Sequence, residues 1–463
     1  MEDSVARLLS VEIHNVKNVY SGKIDMAKNT MSDWFSQESD ILGIYGQNGS
    51  GKTAVIQVLS LFKALMCGQP FWSDFRNWMS ANKDKCSCSI KVAIKKDNVK
   101  KYIATYSWVI SRNGFRENSP GLISEKLMVS KYNESGSWTK TTPFFNCTFS
   151  NESEQIFTPK YRYEKFIQGD QKKYIALSVA LKMTQEKQTS LLFSNDFYEI
   201  LKTSPENDFF EIVSTLRKYA WENIFTILNS HTGMISAGLI IPLAIVHKEQ
   251  DTKAFGEFPI PLREPLTVDK RTFLLIDSVI KKIDSVIKTL VPGLSIETKR
   301  HGSELLKDGT EGIRFELISI RDGNSFPLRY ESEGIQKIIS ILSAVIFMYN
   351  NPTALIAIDE FDAGIFEALL GSLLHVIEET GRGQLIFTSH NLRPLEVLKK
   401  DNIIFSTANA NNRYIRMTNI RPTNNLRDCY IRALSIEDQP EKLAEETRES
   451  EIRRALRKAG ENG

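Results

Sequence analysis

Cysteine is scarce in this sequence of 463 residues: Cys67, Cys86, Cys88, Cys147 and Cys429 are odd in number and scattered. Such usage excludes a disulfide framework and fits a reducing compartment. Cys86 and Cys88 are one residue apart, and no second Cys/His pair completes a zinc tetrahedron, so they read as strand residues. An excess of either charge is also missing. The net charge is +3, so any contact with DNA or RNA needs a local basic patch. The longest apolar run, Gly238–Val246, is far short of the about 20 residues that cross a bilayer. Met1-Glu2-Asp3 lacks the basic-then-apolar layout of a signal peptide. A cytoplasmic chain with no membrane partner is expected. No internal repeat stands out, and no a/d heptad lasts three or four repeats, which excludes a long coiled-coil arm.

What is present is ordinary globular material, 41% hydrophobic and 25% charged, long enough for more than one lobe. Leu8–Val16 alternates as a half-buried strand does, and Ile41–Tyr45 is a short apolar run that stops at a glycine-rich turn. After it, Val55, Ile56, Leu59, Phe62 and Met66 recur at helical spacing. Lys91–Ile110 reads as two strands around a polar turn. From 151 to 292 the pattern turns helical, as in Phe209–Leu228 and Thr272–Leu290, with a polar, proline-containing loop at His247–Thr267. Strands alternating with helices return after Pro292: Ala354–Ile358, Ile365–Glu379 and Gln384–Thr388 among them. That alternation implies a mainly parallel sheet. Pro440–Lys458 mixes Glu with Arg and Lys at helical spacing and reads as an exposed charged helix.

Four expected units follow: a lobe at 1–150, a helical insertion at 151–292, a second lobe at 293–435 and a charged helix at 436–463.

Gly46-Gln47-Asn48-Gly49-Ser50-Gly51-Lys52-Thr53 satisfies G-x-x-x-x-G-K-[ST] in full. Glycines let backbone N–H groups wrap phosphate oxygens, and the helix that follows adds its positive end. Lys52 places a cation on the β- and γ-phosphates, and Thr53 offers a hydroxyl to Mg²⁺. A buried strand then ends in Asp359-Glu360, where Asp359 is the expected acidic partner of Mg²⁺ and Glu360 the expected general base. His390, just past the next strand, is placed to touch the γ-phosphate. Ser332 and Gly334, at the start of the helix Glu333–Tyr349, offer a hydroxyl, a glycine backbone and a helix N-terminus. That is an anion-binding arrangement, though taken in isolation Ser332 reads first as a plain N-cap.

The order of phosphate loop, long insertion, Ser-Glu-Gly helix, Asp-Glu strand and His390 resembles the ABC-type ATPases, SMC and RecF-like proteins included. More closely it resembles the AAA-type ATPases of bacterial defence systems, related to the ATPase half of the OLD nucleases. The resemblance implies an α/β fold with a mainly parallel ABC-type core, an antiparallel β lobe and a helical insertion. It also implies ATP and Mg²⁺ as cofactors. It assigns Ser332-Glu333-Gly334 to the signature that caps ATP on a neighbouring subunit, and Asp362-Ala363-Gly364 to the D-loop. Gln155 and Gln168 are the candidates for a Q-loop glutamine. Asn425–Ile431 is similar to the C-terminal element of these ATPases.

Only 73 residues follow His390, without a second Glu and Asp-x-Asp set. A Toprim-type nuclease, if one is involved, is therefore expected on another chain. The family picture implies a homo-oligomer, a hexamer among the options, that holds such an effector and releases it on sensing a phage trigger protein. A RecF- or SMC-like DNA-maintenance ATPase is the alternative. Its expected marks are a basic DNA-facing groove or long coiled-coil arms; the densest basic stretch, Lys91, Lys95, Lys96, Lys100 and Lys101, lies on a hairpin tip and reads first as a solvated face.

Overall fold

The computed structural model describes residues 4–461 apart from 29, 37, 72, 98–99, 115–119, 150–155, 238, 250–251, 419–423, 436–438 and 446–447. The chain opens with β1 (Val5–Val16) and β2 (Val19–Asp25), a short α1 (Met31–Trp34), β3 (Asp40–Tyr45) and α2 (Lys52–Met66). Next come β4 (Lys85–Lys96), β5 (Lys100–Ser111), β6 (Gly121–Lys131) and β7 (Thr142–Thr148). The helices α3 (Lys160–Ile167), α4 (Gln171–Lys187), α5 (Asn195–Lys202) and α6 (Asn207–Asn223) follow. After these the chain forms β8 (Ile224–Ile227), α7 (Asn229–Ser236), β9 (Ile240–Glu249), β10 (Thr252–Pro261), β11 (Leu266–Asp269) and α8 (Lys270–Leu290). The chain goes on with β12 (Ser295–Leu305), β13 (Glu311–Arg321), β14 (Asn324–Pro327), α9 (Glu333–Asn350) and β15 (Leu355–Ile358). It continues through α10 (Glu367–Thr380), β16 (Gln384–Thr388), α11 (Pro394–Val397), β17 (Ile403–Ser406), β18 (Tyr414–Ile415), α12 (Leu426–Ser435) and α13 (Glu449–Glu461).

The central sheet has the order β18-β17-β3-β16-β15-β8. Its pairs are parallel except β17 with β18. β3, β15, β16 and β17 are buried along their whole length, as strands covered on both faces must be. α2 packs on one face, where Val55, Ile56, Leu59 and Phe62 join a core shared with the first lobe. α9 packs on the other, with Ile338, Ile341, Leu342 and Val345 in a second core. The antiparallel sheet β2-β1-β4-β5-β6-β7 forms the lobe over α2. The fold is thus α/β, with a mainly parallel core and an antiparallel β lobe.

The segment 151–292 departs from a purely helical insertion. The periodic stretch 209–228 divides: α6 stops at Asn223, and Ile224–Ile227 becomes a strand of the core sheet beside β15. Four apolar residues fit a helix face or a buried strand equally well, and pairing with β15 decides between them. The expected loop at His247–Thr267 is instead largely the ribbon β9–β10, followed by β11. Pro242 and Pro259 stand opposite one another in its register. A two-stranded ribbon leaves every second N–H facing outward, so proline there costs no ladder bond. The expected helix over Pro440–Lys458 begins only at Glu449. Before it, Leu443 is buried in the second core, and the Ala408 N–H donates to the Lys442 carbonyl at 2.7 Å.

Candidate functional site

In open α/β sheets the carboxyl ends of parallel strands face the ligand crevice. Here four neighbouring strand tips deliver the phosphate loop (β3), the His390 segment (β16), Asp359-Glu360 (β15) and Asn229 (β8). The loop needs its glycines. Gly46, Gly49 and Gly51 have φ of 152°, 77° and 89°, and a Cβ on Gly46 would lie 1.9 Å from the Ser406 hydroxyl. Lys52 is buried at 7% exposure, and its ammonium donates to the carbonyls of Gly46 (2.8 Å) and Gln47 (3.1 Å). Burial lowers its pKa, and Asp359, Glu360 and Asp362 pull it back up.

Asp359 is fully buried. Its Oδ1 accepts from the Thr53 hydroxyl (3.2 Å) and from the Thr388 hydroxyl (2.6 Å), while its Oδ2 has no hydrogen-bond partner. An unpartnered buried carboxylate oxygen is costly unless something else satisfies it. Beside a threonine hydroxyl at the head of a phosphate loop, it is the donor set that a hard divalent cation takes. The residues present therefore fit Mg²⁺, which Thr53 and Asp359 would hold.

Glu360 is held in an unusual way. Its φ is +50°, a left-handed conformation that non-glycine residues seldom adopt and that recurs at functional sites. Its N–H donates to Thr388 Oγ1 (2.8 Å), and its carboxylate accepts from Asn229 Nδ2 (3.0 Å). His390 is exposed, and its N–H donates to Asp362 Oδ2 (3.1 Å). Partial burial and then the Lys52 charge lower its pKa, so the imidazole is neutral at neutral pH.

These groups line one cleft of about 310 Å³. Asn48, Gly49, Gly51, Lys52 and Thr53 come from the loop, and Asp359, Glu360, Thr388 and His390 from strand tips. Other expected site residues lie elsewhere. The Gln47 side chain turns to the C-terminal segment, where its Oε1 accepts from the Glu445 N–H at 2.9 Å. The Ser50 hydroxyl pairs with that of Ser406. Ser332 and Gly334 do not line the cleft. Ser332 is the N-cap residue of α9 without a side-chain cap bond, and Gly334 packs against Gly364, whose carbonyl oxygen a Cβ on Gly334 would meet at 2.0 Å. Gln168 is exposed at the C-cap of α3, away from the cleft, and Gln155 lies outside the described residues.

Sequence reasoning missed Lys17, Asn18 and Asn229. The turn between β1 and β2 hangs over the loop, with Asn18 Nδ2 donating to the Gly49 carbonyl at 2.9 Å. Only knowledge that β1 borders α2 could have flagged it. Asn229 follows β8, a strand the sequence pattern hides inside a helical stretch, and its side chain meets Glu360. The basic stretch of the first lobe is partly engaged: Lys96 pairs with Glu211 (3.5 Å), and Lys101 lies over the Tyr132 ring at 5.2 Å. Among the described residues no cluster of His, Cys, Asp and Glu could hold a metal by itself, and no helix is long and apolar enough to cross a membrane.

Residues 145–396 match the family described as "AAA domain, putative AbiEii toxin, Type IV TA system". A comparison with curated proteins yields no match. Among solved structures the chain is similar to the SmcHead bound to the C-winged helix domain of ScpA. That match has 13% identity, covers 88% of this chain and 97% of that one, and has a TM-score of 0.39. It is also similar to the SMC head domain from Thermotoga maritima (13% identity, 89% and 98% covered, TM-score 0.37). A third match is the recombination mediator protein RecF–ATP in the RecFOR pathway (12% identity, 83% and 92% covered, TM-score 0.33).

Proposed function

From the premise that this chain belongs to that AAA-domain family, we propose that it binds and hydrolyses ATP as the scaffold and sensor of an anti-phage defence system. The observation that carries the ATPase reading is the buried Asp359, with one oxygen on Thr53 and Thr388 and the other unpartnered, at the mouth of the phosphate loop. Bound Mg²⁺ would offset phosphate charge there. Lys52 holds the terminal phosphates, the loop N–H groups cradle them, and Glu360 takes the proton from the attacking water, oriented by Asn229. His390 donates to the terminal phosphate through its ring, while its backbone N–H donates to Asp362.

Asn229 acts through Glu360 and serves position more than affinity. Asn229→Ala is expected to lower kcat by about tenfold with KM within about twofold, since only the orientation of the base is lost. Steady-state kinetics checks this, and an unchanged kcat would detach Asn229 from the chemistry.

The defence role extends the reading. Subunits join through composite sites, with Ser332-Glu333-Gly334 capping ATP bound to a neighbour. The assembly holds a separate Toprim-type nuclease and lets it go on meeting a phage protein. Size and layout are most like AriA, the ATPase of the PARIS system, and the membership of an AAA-domain family whose description names a toxin system supports this direction. Mass in solution should rise on adding ATP, and a co-expressed Toprim-type nuclease should be retained. An ATP-indifferent monomer with full activity refutes the composite site. A RecF- or SMC-like maintenance ATPase would share the cleft but respond to duplex DNA. Turnover raised severalfold by DNA, with no nuclease retained, would favour that alternative.

A further inference from the structure

Neighbouring elements fasten the phosphate loop from outside. At its entry the Ser406 hydroxyl donates to the Tyr45 carbonyl at 3.0 Å, and at its exit the Tyr414 hydroxyl donates to the Gly51 carbonyl at 2.7 Å. Gln47, between them, is held by the C-terminal segment. Its Oε1 accepts from the Glu445 N–H at 2.9 Å, and its Nε2 donates to the Glu445 carbonyl at 3.5 Å. One side-chain amide thus meets a backbone N–H and C=O together, as a neighbouring strand would. Residues 439–445 form an irregular stretch with further anchors. The Glu441 carboxylate accepts from Asn409 Nδ2 (3.0 Å) and Asn412 Nδ2 (2.9 Å). The Lys442 carbonyl accepts from the Ala408 N–H (2.7 Å), and Leu443 is buried at 2% exposure. Ala408, Asn409 and Asn412 belong to the turn between β17 and β18, the strands that carry Ser406 and Tyr414. Beyond the stretch, α13 is exposed at every position from 449 to 460 and adds no buried residue. A short irregular stretch held by one leucine and a few hydrogen bonds belongs to the low-stability end of a protein, where opening costs little.

We propose that residues 439–445 are a strap over the phosphate loop whose closure and ATP binding favour one another, so that occupancy of the cleft sets whether the C-terminal end of the chain, α13 included, is held or released. This rests on the ATP-binding reading of the cleft and adds its regulation. The physical link is Gln47. Its carbonyl accepts from the Lys52 ammonium at 3.1 Å while its side chain holds Glu445. One residue therefore faces both the phosphate-binding lysine and the strap. Glycines at 46, 49 and 51 leave the loop's backbone free to depart from the shape that wraps phosphate. A tie at Gln47 removes part of that freedom before ATP arrives, and the ordering cost on binding falls accordingly. Linkage makes the effect mutual: the factor that the closed strap adds to ATP affinity is the factor that ATP adds to strap closure.

The test uses the full chain, a fluorescent ATP analogue and backbone hydrogen exchange in the segment 439–445. In the wild type, saturation with the analogue is expected to slow that exchange about five- to tenfold. Leu443→Ala and Gln47→Ala should each raise the Kd for the analogue by about the same factor. Leu443 lies outside the cleft, so Leu443→Ala should keep kcat within about twofold at saturating ATP. The double variant should bind about as weakly as either single one, because both act by freeing one strap. Should Leu443→Ala fail to fold, Glu441→Ala, which cuts the ties to Asn409 and Asn412, is read against the same thresholds. A Kd raised less than about threefold in the folded strap variant, or exchange in 439–445 indifferent to the analogue, overturns the inference while leaving ATP binding standing. Additive losses in the double variant overturn it too, since Gln47 would then act on the loop without the strap. A wild-type chain that does not bind the analogue removes the nucleotide reading itself, and the inference with it.

Discussion

Glu360→Gln is expected to bind ATP as tightly as the wild-type chain while hydrolysing it about 100- to 1000-fold more slowly. The amide keeps the shape of the side chain and can still meet Asn229 Nδ2 through its oxygen. What it loses is the capacity to accept a proton from water. The surroundings favour an isosteric exchange, because Glu360 is fixed through its backbone: φ is +50°, and its N–H is held by Thr388. Lys52→Ala is expected to behave oppositely, with ATP binding lost and turnover lost as a consequence. The ammonium sits at the centre of the loop, on the Gly46 and Gln47 carbonyls, whereas Lys17 reaches the cleft from the β1–β2 turn. Calorimetric titration with ATP, alongside phosphate release, separates the two. If Glu360→Gln turns over normally, the base lies elsewhere. If Lys52→Ala binds ATP normally, the loop is not the triphosphate site.

The contrast between these variants follows from features that the sequence alone displayed. The phosphate loop, Asp359, Glu360 and His390 were legible because each stands where an apolar run ends, and a buried strand must expose its polar tip at one end. β3, β15 and β16 were legible for the same reason. The sheet's last strand was not. Ile224–Ile227 follows α6 without a break, and nothing local tells four apolar residues to leave a helix for a strand. Only β15, more than a hundred residues away, supplies the partner. With that strand hidden, nothing local marks Asn229 as standing at a strand tip beside Glu360. The β1–β2 turn was missed for a related reason. Asn18 and Lys17 are ordinary polar residues, and only the antiparallel lobe's packing over α2 brings them above Gly49. Gln47 fits the motif by position, yet its side chain serves the segment around Glu445. The pattern fixes the loop's backbone and leaves its variable side chains free for other work.

Gly334→Ala carries the second large effect. The Ser-Glu-Gly triplet reads in sequence as an anion site or a helix cap, but the structure supplies a different reason for its glycine. A Cβ at 334 would fall 2.0 Å from the Gly364 carbonyl oxygen. Both sides of that contact are backbone, so no side chain can swing away to relieve it. Either α9 must slide at its first turn or residues 362–364 must retreat, and the second movement drags Asp362, which holds the His390 and Asn391 N–H groups. A shift of about 1 Å at reacting groups lowers turnover by about 100-fold, whereas the phosphate loop lies on another strand and keeps its grip on ATP. The expected variant therefore folds, loses about 1–3 kcal/mol of stability from overpacking, binds ATP, and hydrolyses it about 100-fold more slowly. Gly364→Ala is the control. Its Cβ would meet Gly334 Cα at 3.3 Å, a tight contact that a shift of a few tenths of an ångström relieves, on a backbone at φ +73°, so its loss of turnover should be smaller at a similar loss of stability. Thermal unfolding and single-turnover hydrolysis on the two variants decide the matter. Equal turnover in Gly334→Ala and wild type would show that the Gly334–Gly364 contact does not hold the carboxylate loop in place.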